Sequence, residues 1–447
     1  MNPHRPIAFF AAVAGAVLSF GALISADASD WPHWRGPNYD GSAPDGESYP
    51  AKFSKTDNVK WVADLPGTGA STPIVSGDLV FVTAADEAEG GVVAVALDRA
   101  TGGIKWSKKL GEGIRKDDRS DYAGPSAVTD GERVIFFTGN GDLAAFGFGG
   151  DEVWKRNIQK DYGEFAFGWT FSTSPLLYDG LLYMQVLQRD VAVDGRGFTD
   201  KENESYLLAL DPATGKEKWR VVRPTGAQME SREAFTSPVI ATHKRKTELL
   251  VIGGDFLTGH DPKTGKELWR WGTWNPGHKE QFWRLVPSPV FGDGIILACA
   301  PKKNPVYAIR AGGSGNLGSD AIAWTSEGSK EVSADVPTPL FYHDRFYILN
   351  EGRKTLSCVE PKTGKVFWSE PLDAKVKLES SPTGADGKIY LMSHLGEVFV
   401  VAAEDEFKLL NATTLGESQS VNIRASVAPA FGNLFIRTDD KVYCIGE

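Results

Sequence analysis

The feature that most constrains the fold of this chain is an internal repeat. One phrase runs from a small residue through an acidic residue two positions on to Thr-Gly, with a Trp four residues after the Gly. It recurs as ALDRATGGIKW (96–106), ALDPATGKEKW (209–219), GHDPKTGKELW (259–269) and CVEPKTGKVFW (358–368). AAFGFGGDEVW (144–154) is a weaker copy, and another ends at Trp324, where extra residues enlarge the turn after Ala308. A second phrase begins with a small or hydroxyl residue and Pro, then two apolar residues, a turn and an alternating apolar run. Its prolines are Pro73, Pro175, Pro238, Pro289, Pro339, Pro382 and Pro429, and Ser126 in GPSAVTDGERVIFF fills the vacant slot. Eight units at 43 to 63 residue spacing, each with four short period-2 segments between turn residues, read as propeller blades.

The residue types within the phrase have physical roles. Gly102, Gly150, Gly215, Gly265 and Gly364 occupy a turn position that wants positive φ. The column Ala96, Ala144, Ala209, Gly259, Ala308 and Cys358 is small, which lets neighbouring sheets approach, and each Trp can wedge between blades with one N–H to satisfy. Lys60 to Leu65, with Trp61, is a fourth strand lacking its first three, while Ser426 to Ile445 supplies three strands lacking a fourth. Joining them removes the exposed edges. The sequence therefore predicts an all-β, eight-bladed β-propeller of four-stranded antiparallel blades, closed by N- and C-terminal strands.

Residues 1–28 stand apart: Arg5, an apolar run from Ile7 to Ile24, then Ala26 and Ala28 around Asp27 read as a secretory signal peptide. Residues 29–58 form an N-terminal extension and 59–447 the propeller. With no Cys after the apolar run to take a lipid, and no later apolar stretch of spanning length, the expected location is secreted or periplasmic, with no membrane span after cleavage. The formal charge is -10 and no long basic run occurs, which excludes a sequence-independent grip on nucleic acid. The 49 glycines are spread along the chain, which fits many tight turns and excludes a collagen-like or low-complexity chain.

The A-x-D-x-x-T-G-x-x-x-W phrase resembles the repeat of PQQ-like propellers, which include quinoprotein alcohol dehydrogenases and the BamB-like propeller of the outer-membrane assembly machinery. The resemblance covers roughly residues 50 to 447 and implies the fold; the same blades serve catalytic and non-catalytic members. Asp30 to Gly41, DWPHWRGPNYDG, resembles the start of secreted PQQ-like proteins and adds no chemistry on sequence grounds. Quinoprotein dehydrogenases carry two adjacent cysteines in a disulfide beside the cofactor. Here Cys299, Cys358 and Cys444 are far apart and read as buried small residues.

No catalytic constellation emerges. Gly313 to Gly318 matches G-x-G-x-x-G but sits in a blade turn, not between strand and helix, and reads as an enlarged surface turn. Asp190, Asp194, Asp200, Glu202 and Glu204 lack EF-hand spacing, and the seven His lack metal-ligand spacing. What remains is the longest, least repeat-like loops, which fall on one face: 115–122, 159–171, 188–205, 228–235 and 271–284. They bring Arg119, Phe167, Trp169, Arg232, Trp271, Trp274, Trp283 and Arg284, and aromatic residues with Arg are the composition of interface cores. Either these side chains pack together to order the loops, or the face from the third to the fifth blade binds a partner. The expectation is a monomeric binding scaffold for an envelope or extracellular protein or a glycan, with no catalysis, cofactor or metal. A PQQ-dependent oxidoreductase with Ca²⁺, and a carbohydrate-binding propeller, stand as alternatives.

Overall fold

The computed structural model describes residues 1 and 29–447, apart from Thr273, Lys303 and Val421; the predicted signal segment lies outside the described residues. Eight antiparallel blades surround a central channel. Blade 1 comprises Ile74–Ser76, Leu79–Asp86, Gly91–Asp98 and Ile104–Glu112, from the channel outwards. Blades 2 to 7 repeat this order, with inner strands Val128–Thr129, Leu176–Tyr178, Val239–His243, Val290–Gly292, Leu340–Tyr342 and Thr383–Ala385. Blade 8 takes Ala428–Ala430, Asn433–Arg437 and Lys441–Ile445 from the C-terminus and its outer strand, Val59–Asp64, from the N-terminal side. The ring is thus closed as the sequence predicts, by Trp61 opposite Cys444 and Asp64 opposite Lys441.

The tryptophan girdle works as a set of blade-to-blade clasps. Trp61, Trp106, Trp154, Trp219, Trp324 and Trp368 each donate their indole N–H to a carbonyl in the next blade, that of Arg99, Phe148, Pro212, Pro262, Pro361 or Glu404, at 2.7–3.1 Å. The turn glycine lies flat on the preceding ring: a Cβ at Gly364, whose φ is +74°, would sit 2.6 Å from Trp324. Any side chain there would be both strained and obstructed.

Three details differ from the sequence reading. In blade 2 the residue opposite Trp154 is Ala145, not Ala144, because its turn is one residue shorter, with Gly147 N–H bonded to Asp151 O. In blade 8 the slot of Pro73 holds Val427 and not Pro429: Ser426 is the equivalent of Thr72, and Pro429 lies inside the inner strand. The Gly313 to Gly318 turn folds into a fifth strand, Gly315–Leu317, parallel to Glu267–Trp271 of blade 4. That strand displaces the usual clasp, so Trp269 turns into its own blade, is buried, and donates to Glu248 Oε2 at 2.9 Å.

The N-terminal extension is a plug. Trp31 pairs with Val75 through both backbone bonds, Pro32 O accepts from Thr129 N–H, Tyr39 Oη donates to Leu177 O at 2.8 Å, and Ala43 N–H donates to Gly384 O at 2.8 Å. These partners belong to the inner strands of blades 1, 2, 3 and 7, near the turns that lead to the second strands. One end of the channel is therefore crossed by the chain itself. At the centre Arg35, 1% exposed, donates to Pro382 O at 2.9 Å and to Pro339 O and Asp40 O at 2.6 Å. Burial lowers its pKa to about 10, so it is charged at neutral pH. Gly41 has to be glycine, because a Cβ there would lie 2.2 Å from that guanidinium at φ +96°.

His33 in the plug and His260 in blade 4 make stability acid-sensitive. Burial, aided by the charge of Arg35, lowers His33 to about 3, and burial with Arg223 lowers His260 to about 4. His33 Nδ1 accepts the Arg35 N–H at 3.2 Å, so protonation would break that bond beside a cation. Both rings are neutral when folded and protonate near 6.5 when unfolded. Their contribution is therefore complete above pH 6.5 and is lost as pH falls through that value towards 3 or 4, at up to about 1.4 kcal/mol per unit per ring. Denaturant titrations at pH 6.5 and 5 should show this loss, and His33→Asn, which keeps an acceptor but cannot titrate, should lose about half as much as wild type.

Candidate functional site

The channel opposite the plug widens into a funnel, a cavity of about 180 Å³ between Trp34 at its base and the loop face at its mouth. Its walls are built by the period-2 alternation of the segments leading into the inner strands. The deepest layer is a ring of eight hydroxyls, one per blade: Thr72, Ser126, Ser174, Ser237, Ser288, Thr338, Ser381 and Ser426. Each accepts the backbone N–H of the ring residue in the preceding blade, at 2.9–3.2 Å, and Ser426 N–H closes the circle on Thr72 Oγ1. All eight are buried, and among the described residues none donates its own O–H within the protein. The ring thus presents eight O–H donors to whatever enters the cavity.

Two residues earlier in each blade comes the next layer: Ala70, Gly124, Ser172, Phe235, Val286, Val336, Glu379 and Arg424. Glu379 accepts from His394 Nε2 at 2.9 Å, from Arg424 Nε at 2.8 Å and from Lys377 Nζ. Burial pushes its carboxyl up, but His394, Arg424 and Lys377 outweigh burial and hold it well below the usual carboxylate range. Arg424 also donates to Asp118 O at 3.0 Å and to Arg119 O, which ties the 115–122 loop to the funnel wall. At the mouth stand Arg119, Trp169, Thr170 and Arg284. The Arg119 guanidinium lies 5.5 Å from the Trp169 ring centre, and Asp117 anchors Thr170 through its N–H and hydroxyl, both at 2.7 Å. Arg284 makes only long contacts, 3.5 Å to Asp335 and 3.9 Å to Glu230, and its Nη1 is buried without a hydrogen bond.

Of the eight residues singled out from the sequence, Arg119, Trp169 and Arg284 line the funnel, with Arg119 resting on Trp169. The others order the loops. Phe167 is buried against Phe171 and Phe235, with ring centres 4.9 and 5.5 Å away. Trp271 and Trp274 are buried 5.2 Å from each other in the core beneath blade 4, and Trp283 is half-buried against the same core. Arg232 bridges Asp190 and Glu202, at 3.0 Å each, and so joins two loops. Packing thus encloses Phe167, Arg232, Trp271 and Trp274, which present almost no surface to a partner. Sequence reasoning missed the hydroxyl ring, Glu379, Arg424 and Trp34. The ring was visible as the hydroxyl before a proline in six of its eight members, a position taken for a strand marker only.

A PQQ with its Ca²⁺ does not fit these residues. Among the described residues Glu379 is the one carboxylate lining the funnel, and it is engaged by three cations or donors. Among the described residues no group of three or more His, Cys, Asp or Glu could hold a metal ion. Cys299, Cys358 and Cys444 are free, buried and in three different blades, and burial pushes the Cys358 and Cys444 thiols up to about 12.

With this geometry in view, comparison with known proteins settles the family. A family model described as outer membrane protein assembly factor BamB matches residues 51–167, 89–320 and 314–445. The chain belongs to this family. No curated protein matches it. Among solved structures, the quinohemoprotein alcohol dehydrogenase of Comamonas testosteroni is similar at 13% identity and a TM-score of 0.61, over 94% of this chain and 81% of that one. BamB of Moraxella catarrhalis is similar at 12% identity and a TM-score of 0.56, over 87% of this chain and 98% of that one. A europium-containing methanol dehydrogenase is similar at 12% identity and a TM-score of 0.61, over 92% and 89% of the two chains. At such identities these likenesses speak for the fold alone.

Proposed function

We propose that the protein is a binding propeller of the cell envelope or the extracellular space, which takes a ligand or partner at the open mouth of its funnel and catalyses no redox reaction. One observation carries this: the channel is sealed at one end by the chain's own residues 31–43 and open at the other, where Arg119, Trp169 and Arg284 line the wall. The match to an assembly-factor family supports a binding role, and the predicted signal segment supports export. Among the described residues no helix is long and apolar enough to cross a membrane. A cavity lined by donors and aromatic rings, with the one carboxylate among its described residues already engaged, can hold and orient a guest, and those residues offer no free base to take a proton from one.

Calorimetric titration of the purified protein with PQQ, with and without Ca²⁺, tests the reading. The expected result is no saturable heat at sub-millimolar PQQ. Saturable micromolar binding would overturn the reading and turn attention to dye-linked oxidation of alcohols and sugars.

A further inference from the structure

The walls of the funnel narrow the chemistry of its guest. The hydroxyl ring offers O–H groups that are buried, fixed by their accepted backbone bonds and directed at the cavity. Such groups can donate to, and with their remaining lone pairs accept from, the hydroxyls of a polyol. Above them stand two guanidiniums with donors to spare. Arg119 makes no ion pair among the described residues and rests on the Trp169 face, while Arg284 is held by Asp335 and Glu230 only at 3.5 and 3.9 Å, its Nη1 buried without a hydrogen bond. Guanidiniums paired loosely or not at all beside a partly enclosed cavity favour an oxyanion, and their forks favour a planar carboxylate. The Trp169 indole supplies an apolar wall against which a sugar ring can lie. At about 180 Å³ the space is smaller than the roughly 300–1,000 Å³ of sites for drug-sized ligands, so the guest is compact.

We propose that the funnel binds a sugar acid, a single carboxylated sugar unit, with its carboxylate on Arg119 and Arg284, its hydroxyls on the Ser and Thr ring, and no metal ion. The inference rests on the binding-propeller reading and deepens it. The unit can be free or the end of an acidic polysaccharide, because the mouth is open above it.

The test is calorimetric titration of the purified protein with D-glucuronate, D-glucose and inorganic phosphate. Glucuronate should bind saturably, with glucose and phosphate each at least about tenfold weaker, since one lacks the charge and the other the ring contacts. Arg119→Gln should weaken glucuronate about tenfold or more and leave glucose unchanged; because Arg119 is exposed, the variant should keep the wild-type melting temperature. Arg284→Gln should act in the same direction. Glucose binding as well as glucuronate, or phosphate doing so, would overturn the proposal, as would Arg119→Gln binding glucuronate like wild type. Absence of heat with all three probes would also overturn it and would leave the binding-propeller reading standing, since that reading falls on saturable PQQ binding. A polymannuronate oligomer separates the two sources: binding comparable to the monomer marks a polysaccharide end, and exclusion marks a free sugar acid.

Discussion

Removing Lys441 to Glu447 should abolish the folded state. The strand Lys441–Ile445 lies between Asn433–Arg437 and Val59–Asp64, so its loss strips two hydrogen-bond ladders at once and leaves the N-terminal strand without a partner. Val442, Tyr443, Cys444 and Ile445 are all buried. Their apolar burial alone is worth roughly 6–12 kcal/mol at about 1.5–3 kcal/mol per side chain. A typical domain has only about 5–15 kcal/mol in total. The exposed edges of blade 8 would then be open to pairing with other chains. Circular dichroism melting and size-exclusion chromatography check this: aggregation or loss of the transition is expected, and a monomer melting at the wild-type temperature would mean that the ring closes by another route.

The second large effect belongs to Arg35. Replacing it by Ala leaves the carbonyls of Pro339, Pro382 and Asp40 buried without a donor, and opens a void at the centre of the plug. Losing one side of such a buried charged network costs about 3–5 kcal/mol. Arg35→Lys should be nearly as damaging, because one ammonium cannot reproduce a planar fork that serves carbonyls from two blades and the plug. Denaturant midpoints give the size of the loss, and limited proteolysis its location, with new cleavage expected within residues 29–58. Wild-type stability in the Ala variant would show that backbone pairing at Trp31 and Ala43 holds the plug without the guanidinium.

How far the fold was legible follows from its mechanism. The clasp from Trp to the next blade's turn needs a small partner, an acidic turn residue and a glycine in fixed order, so the repeat is written plainly and the blades could be counted. Ring closure was legible because Trp61 has no blade of its own. Local geometry was less so. Ala144 and Ala145 are indistinguishable without knowing that the turn is one residue shorter, and the proline at 429 masked the equivalence of Ser426 and Thr72. At the site, composition pointed to the loop face on which the funnel opens but could not separate aromatic side chains that fill a core, such as Trp271, from those at an opening, such as Trp169. Both sit in long irregular loops, and only the packing tells them apart. The plug was invisible because its partners lie some 40 to 350 positions away along the chain, as in the Arg35 bond to Pro382.

The most direct test of the account is whether the funnel is reached from the loop face and selects for negative charge. The three native thiols are buried and silent, so Ser172→Cys introduces one reactive thiol on the funnel wall. Its modification rate should be measured with two methanethiosulfonates of similar size, one bearing a sulfonate and the other a trimethylammonium group. With Arg119 and Arg284 at the mouth and Glu379 neutralised by its partners, the anionic reagent should react faster by about tenfold or more, and added salt should narrow the difference. Equal rates, a faster cationic reagent, or a thiol that neither reagent reaches would contradict an open, anion-selecting funnel.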